Sequence, residues 1–371
     1  MSLVSSQVLP MNLRQALDAF LPLIEEELQA CVVPTQDGAP AYFGMMQYHM
    51  GWKDEHFDPV VATTPLSPRR AQGGKQGTTV GKRIRPLLTL LACQAAGGEA
   101  RQALPACAAV EIIHNFSLVH DDIEDRSDTR RGRRTVWSRW GEAQAINVGD
   151  GMFALAHLAL HRMPDFGVPP ERVAPALRLL DETCLALCQG QHLDIAFENV
   201  HDVDVDGYVR MIAGKTAALM GCAAQLGALV ATTEWQTLER YRRIGLALGL
   251  AFQMQDDVLD LIGKEFAEKK GGRGQDITEG KRTLMVIHTL KIASNADKGR
   301  LIQILKMHTS DKALRNEAVF IMQKYNAIEY VRQMSAQIVE ESWKEAERLL
   351  QASEAKEKLK AFAEFLIKRS N

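Results

Sequence analysis

The sequence predicts an all-α fold, and three observations predict it. Apolar residues recur at spacings of three and four through long stretches. Alanine and leucine, both strong helix formers, fill those stretches. Alternating apolar–polar runs and two-residue hairpin turns are not discernible. With 371 residues, 46% hydrophobic and 24% charged, the chain has ordinary globular composition and length for a large core. It reads as one structural domain of long helices packed as an antiparallel bundle.

The elements follow in order. Helical periodicity covers 12–32, then breaks. Residues 33–81 hold Pro, Gly, Thr and Ser with scattered aromatics, an irregular stretch. Within it, the segment from Tyr42 to Trp52 is amphipathic and is expected to pack on the main body. The pattern then returns over 84–97, 103–125, 142–163, 171–198, 206–231 and 234–263. Lys, Gly and Asp dominate 264–282, a second break. Helical patterning resumes after 283 and runs to the end. Asp202-Val203-Asp204-Val205-Asp206-Gly207 imitates the start of a calcium-binding loop. Its twelfth position is Ala213, where that loop requires Glu. An inter-helix loop with Asp206 near the next N-cap is the better reading.

Composition excludes several classes. A net charge of −2 favours neither nucleic acid nor an anionic membrane surface. No uninterrupted apolar stretch approaches the roughly 20 residues of a membrane span. No basic-then-apolar leader pattern opens the chain. Cys31, Cys93, Cys107, Cys184, Cys188 and Cys222 form no Cys-x-x-Cys pair and lie mostly among Ala and Leu, as buried reduced thiols do. A reducing cytoplasm fits.

Two acidic signatures carry the chemistry. Asp121-Asp122-Ile123-Glu124-Asp125 and Asp256-Asp257-Val258-Leu259-Asp260 share the pattern Asp-Asp-x-x-Asp, 135 residues apart. On a helix, residues four apart share a face, so Asp121 stacks with Asp125 and Asp256 with Asp260. Like charges so placed repel without a cation. Two independent copies arise by chance with a probability on the order of 0.001 at ordinary Asp usage. Solvated acidic faces also do not sit in apolar runs such as Phe116-Leu118-Val119 or Phe252-Met254-Leu261. A cage for hard divalent ions, completed by substrate phosphates, accounts for both copies.

Basic residues stand where the matching anion would be gripped. Gly81-Lys82-Arg83-Ile84-Arg85-Pro86 opens a helix, with Lys82 and Arg85 expected on one face at its anion-favouring end. Arg130, Arg131, Arg133 and Arg134 follow the first acidic copy. Gly214-Lys215-Thr216 interrupts an apolar helix, and Gly280-Lys281-Arg282 follows the second copy. Arg forks and Lys point charges both suit phosphate. Taken singly, each is more often a solvated cation; together they are not. Gly190-Gln191-His192-Leu193-Asp194 places polar groups in another apolar helix. Gln191 and Asp194 could cap a helix interior or orient metal-bound water or a phosphate-binding cation.

These strings, in this order, resemble the trans-isoprenyl diphosphate synthases. The resemblance runs from about residue 80 to 300 through Gly81–Pro86, Glu111-Ile112-Ile113-His114, His120–Asp125, Arg130-Arg131-Gly132, Gly190-Gln191 with Asp194, Gly214-Lys215-Thr216, Phe252–Asp260 and Asp276–Lys281. It implies helices around a deep central cavity, a homodimer, and a catalytic domain over 81–371 with residues 1–80 as an extension packed on it. It implies Mg²⁺, three ions per active site, with Asp121, Asp125 and Asp256 as ligands and Asp122, Asp257 and Asp260 assisting. Arg130, Lys215, Thr216, Gln253 and Lys281 would serve the allylic diphosphate. Lys82, Arg85, His114 and Arg131 would bind isopentenyl diphosphate. The implied reaction ionises an allylic diphosphate, captures the cation with isopentenyl diphosphate, and loses a proton.

The sequence departs from the family pattern after the second acidic copy. The usual Gly-Lys pair is offset within Lys269-Lys270-Gly271-Gly272, which leaves the role of Lys270 open. Chain length in the family is set just before the first acidic copy. There, Phe116 would limit growth, and Ser117 leaves room beside it. That combination points to a short-chain product, geranylgeranyl before farnesyl. A terpene cyclase would carry a different second metal motif and no isopentenyl site. A squalene-type head-to-head synthase is disfavoured for similar reasons. A non-catalytic partner subunit would be expected to have lost aspartates.

Overall fold

The computed structural model describes residues 11–34, 39–60, 62–63, 78–79, 81–198, 200, 203–262, 274–347 and 353–367. The architecture is all-α. In chain order the helices are α1 (Met11–Cys31), α2 (Pro40–Met50), α3 (Ile84–Ala95), α4 (Leu104–Glu124), α5 (Val136–Trp140), α6 (Glu142–His161), α7 (Val173–Glu198), α8 (Val205–Ile212), α9 (Ala218–Ala231) and α10 (Trp235–Ile262). They continue as α11 (Gln275–Thr278), α12 (Leu284–Ile292), α13 (Asn295–Lys306), α14 (Lys312–Lys324), α15 (Ala327–Glu347) and α16 (Glu354–Ile367). The helical spans read from periodicity agree closely with these bounds. The amphipathic segment at Tyr42 to Trp52 is α2 and the turn after it.

The chain divides into two compact units that interleave along the sequence. The first holds residues 1–181, 222–239 and 351–361. In it, α4 packs along α6 and against α3 and α1, and α2 packs on α6. Leu87, Leu88, Leu91, Ile112, Ile113, Val148 and Met152 are wholly buried there. The second holds residues 182–221, 240–350 and 362–371. Its core joins Tyr208, Met254, Val258, Leu284, Met285, Leu301, Ile304, Met322 and Val331.

Among the described residues, two helical stretches, Ala100–Glu124 and Val205–Ala231, are long and apolar enough to cross a bilayer by length and composition. Their apolar windows are 72% and 78% buried within the protein, so they serve as core.

Two local expectations need correction. A two-residue hairpin does exist: β3 (Thr129–Arg130) pairs antiparallel with β4 (Arg133–Arg134). Its turn residues, Arg131 and Gly132, both have positive φ, 54° and 75°, the signature of a primed hairpin turn. An Arg-rich run hid it, because the favoured Asn-Gly or Asp-Gly pair is missing. A short parallel pair, β1 (Ala62–Thr63) with β2 (Thr78–Thr79), is also present. At α8 the N-cap is Asp204, whose side chain accepts from the Gly207 amide at 2.8 Å, and Asp206 stands near it in the first turn as expected. At α3, Lys82 lies outside the helix. The N-cap is Arg83, in the left-handed region at φ 52°, so Lys82 and Arg85 do not share a helix face.

All six cysteines are free thiols; Cys93, Cys107, Cys184 and Cys222 are buried, Cys31 is half-buried and Cys188 is exposed.

Candidate functional site

The first acidic copy closes α4. Asp121 lies in the last turn and Asp125 is the C-cap, its amide bonded to the Asp121 carbonyl at 2.9 Å. Both side chains are half-buried, whereas Asp122 is 1% exposed. The hairpin returns Arg130 onto this end. Its Nε donates to Asp122 Oδ1 at 2.7 Å and its Nη2 to Asp121 Oδ2 at 3.4 Å. Burial nonetheless wins at Asp122, where the carboxyl is pushed up to about 6 against the pull of Arg130. Its Oδ2 is buried without a hydrogen-bond partner.

The second copy, on α10, is buried more deeply. Asp256 is half-buried, while Asp257 and Asp260 are 7% and 3% exposed. Asp257 accepts from the Tyr208 hydroxyl and from Gln253 Nε2, each at 2.8 Å. Burial, with Asp276 next in effect, raises its carboxyl well above the usual range. Asp260 accepts the Asp276 amide at 3.1 Å through its side chain, and its carbonyl accepts from Gly274 at 3.0 Å. It thereby anchors the start of α11. Lys281 pairs with Glu279 at 2.5 Å. Lys270 lies outside the described residues.

Gly214-Lys215-Thr216 does interrupt its helix, by a π turn over Ala213–Ala217. Such single wide turns recur at functional sites. Gly190 of α7 makes room for it: a Cβ there would collide with the backbone at Lys215 and Gly214. Lys215 Nζ pairs with Asp194 Oδ2 at 2.5 Å, so Asp194 orients a candidate phosphate cation. Gln191 is half-buried one turn before it. The Thr216 hydroxyl donates to Gln253 Oε1 at 2.7 Å. That bond fixes the Gln253 amide so that its nitrogen faces Asp257.

Around α3 and α4, sequence reasoning missed a buried ion triad. Arg83 Nε pairs with Glu25 at 2.6 Å and Nη1 with Glu111 at 2.7 Å. Burial works against its charge, but Glu111 and Glu25 outweigh it and hold Arg83 above its ordinary value. Asn115 Nδ2 donates to the Glu111 carbonyl at 2.8 Å and to Oε1 at 3.2 Å. The triad partners lie 58 and 28 residues from Arg83, beyond any local pattern. His114 is driven well below its usual value by burial, then by Arg85, Arg131, Arg130 and His49. Its sensitivity to these four places them in one neighbourhood. Arg131 is lowered to about 10 by burial, then by Arg83.

Phe116 meets the ring of His120 at 5.0 Å and that of Phe153 on α6 at 5.5 Å, both edge-on. The Ser117 hydroxyl turns back to the His114 carbonyl at 2.8 Å. Phe153 was not foreseen; its helix gives no local sign that it faces α4.

The donor set near Asp121 and Asp125 is oxygen-only, with one buried carboxylate oxygen left over, and it fits a hard divalent cation. Among the described residues, no group of three or more His, Cys, Asp or Glu side chains is arranged to hold an ion by itself. A Mg²⁺ ion here would need substrate and water oxygens as well, as it usually does.

Comparison with known proteins agrees with this geometry. The polyprenyl synthetase family model matches residues 75–322. A short chain isoprenyl diphosphate synthase of Methanothermobacter thermautotrophicus is 40% identical over 294 residues, 79% of this chain and 88% of that protein. A geranylgeranyl diphosphate synthase of Methanosarcina mazei is 36% identical, over 78% of this chain and 86% of its own. The crystal structure of geranylgeranyl pyrophosphate synthetase from Pyrococcus horikoshii superposes with a TM-score of 0.79 at 32% identity, covering 96% of this chain and 98% of that one. The chain belongs to the polyprenyl synthetase family and is a prenyltransferase of all-α fold.

Proposed function

We propose that this chain condenses isopentenyl diphosphate head to tail with an allylic diphosphate and stops at a short all-trans product, geranylgeranyl diphosphate ahead of farnesyl diphosphate. The observation that carries the reading is the shared division of the two acidic copies. In each, the first aspartate is half-buried and the second is buried and tied to the chain by hydrogen bonds.

Asp121, Asp125 and Asp256 are the magnesium ligands in this reading, and Asp122, Asp257 and Asp260 support them. Mg²⁺, when bound, supplies Lewis acidity toward the leaving diphosphate. Lys215, held by Asp194, offers a point charge to the allylic diphosphate, and Thr216 and Gln253 set its surroundings. Arg130 pairs with Asp121 and Asp122 and in this reading turns to a diphosphate once a cation takes its place. Lys281 serves the same substrate. Lys82, Arg85, His114 and Arg131 hold isopentenyl diphosphate; a neutral His114 donates one hydrogen bond without adding charge. Phe116, braced by Phe153, closes the path of the growing chain, with Ser117 beside it. Residues 81–371 form the catalytic domain, with 1–80 packed on it, and the chain works as a cytoplasmic homodimer; both readings rest on the resemblance.

The test incubates the protein with Mg²⁺, isopentenyl diphosphate and each allylic primer in turn, then sizes the products. Chain-extended diphosphates that require both substrates are expected. Cyclised hydrocarbon formed without isopentenyl diphosphate, or no product at all, overturns the reading.

A further inference from the structure

We propose that His49, carried by α2 of the N-terminal segment, is an additional ligand for the diphosphate of isopentenyl diphosphate. The proposal rests on the assignment of Lys82, Arg85, His114 and Arg131 to that substrate.

Four observations converge. First, a water-sized cavity is lined by Tyr48, His49, Arg130, Arg131, Arg133 and Thr135 among others. It has room for one phosphoryl oxygen, not for a whole substrate. Second, His49 Nε2 is buried and has no partner at ordinary hydrogen-bond geometry, the Asn115 side chain being the polar group that faces the ring. Buried polar atoms are almost always paired, so an orphan of this kind marks either a defect or an absent ligand.

Third, the surroundings are cationic. Burial, then Arg131, Arg130 and Arg83, drive the imidazole well below its usual value, with Asn115 acting the other way. The guanidinium groups around this neutral imidazole repel a metal ion and attract an anion. In the tautomer with its proton on Nε2, it donates to a phosphate oxygen that the arginines attract. Fourth, His49 lies within electrostatic reach of His114, as Arg85 and Arg131 do, which places it near the residues already assigned to this substrate.

The mounting of α2 is what a ligand needs. The Tyr48 hydroxyl donates to the Arg134 carbonyl at 2.9 Å. Arg133 lies over the Tyr48 ring, 3.8 Å from its centre, and donates to the carbonyls of Tyr48 at 3.2 Å and Lys53 at 2.8 Å. These bonds lock α2 to the hairpin that carries Arg131. His49 and Arg131 are thus fixed relative to each other before any substrate arrives, which lowers the cost of ordering them on binding.

The test compares wild type, His49→Ala and His49→Gln in steady-state assays that vary each substrate separately, with a thermal melt of each variant. For His49→Ala, KM for isopentenyl diphosphate is expected to rise about tenfold, the value of one hydrogen bond to a charged group. The allylic KM and kcat should stay within about twofold, below the smallest effect such a bond would have. His49→Gln, which keeps a donor, should recover part of the loss. If the alanine variant does not melt cooperatively, His49→Phe replaces it, filling the space without a donor. An unchanged isopentenyl KM, or equal rises in both KM values, overturns the proposal. A wild-type chain that makes no prenyl product refutes the underlying reading instead.

Discussion

The Tyr208 hydroxyl donates to Oδ2 of Asp257 at 2.8 Å, and both groups are buried. The bond is the far end of a chain that begins at the Thr216 hydroxyl and passes through the Gln253 amide. The π turn and the second acidic copy are therefore one hydrogen-bonded system. Tyr208→Phe removes a donor from a buried carboxyl and should lower stability by about 1–3 kcal/mol. A urea midpoint equal to wild type would show that the bond contributes nothing net.

Arg83 is wholly buried between Glu25 and Glu111, of which only Glu25 is 24% exposed. Arg83→Met leaves Glu111 charged and buried and should cost about 3–5 kcal/mol in denaturant unfolding. Glu25→Gln keeps the buried half of the triad and should cost clearly less. The reverse ranking would remove Glu111 as the principal partner.

Gly190→Ala forces a methyl group against the backbone of the π turn. Overpacking at such a contact costs about 1–3 kcal/mol. The displaced Lys215 should also raise the allylic KM by about tenfold, the scale of one charged hydrogen bond, with little effect on the isopentenyl KM. An alanine variant with wild-type kinetics would sever Gly190 from the placement of Lys215.

The helices were readable because one buried stripe per helix imposes its period on the residues themselves. The acidic copies were readable because each is local, as is the helix break at Lys215. What stayed hidden is non-local or lacks a turn signal. Glu25, His49 and Phe153 acquire meaning only from residues far along the chain. The hairpin at Arg131-Gly132 was concealed inside a run of charge that reads as solvated surface.

Acid should destabilise the protein partly through His114. Its folded value lies well below the ordinary 6.5, so below that pH the unfolded chain takes up a proton that the native one refuses. Stability tied to His114 is present above pH 6.5 and is lost as pH falls below it. Asp122 acts oppositely, because its folded value of about 6 exceeds the ordinary 3.8. The difference between wild type and His114→Gln isolates the histidine. In urea titrations from pH 8 to about pH 5, wild type should lose stability relative to the variant as pH falls. Parallel profiles would deny His114 a neutral native state.

Phe116→Ala should lengthen the product, because it removes the ring that meets Phe153 and His120 edge-on. Product sizing by chromatography decides it. An unchanged chain length would mean that growth stops against another wall.

The hairpin turn sets two selective pressures against each other. Residue 131 adopts a backbone shape that glycine or asparagine enters readily and that arginine enters at a cost of order 1 kcal/mol. Selection for heat tolerance alone would favour Arg131→Gly, whereas selection for turnover would purge it. A library enriched separately for folding and for activity should therefore move position 131 in opposite directions, making it a natural reporter of which pressure a population has felt.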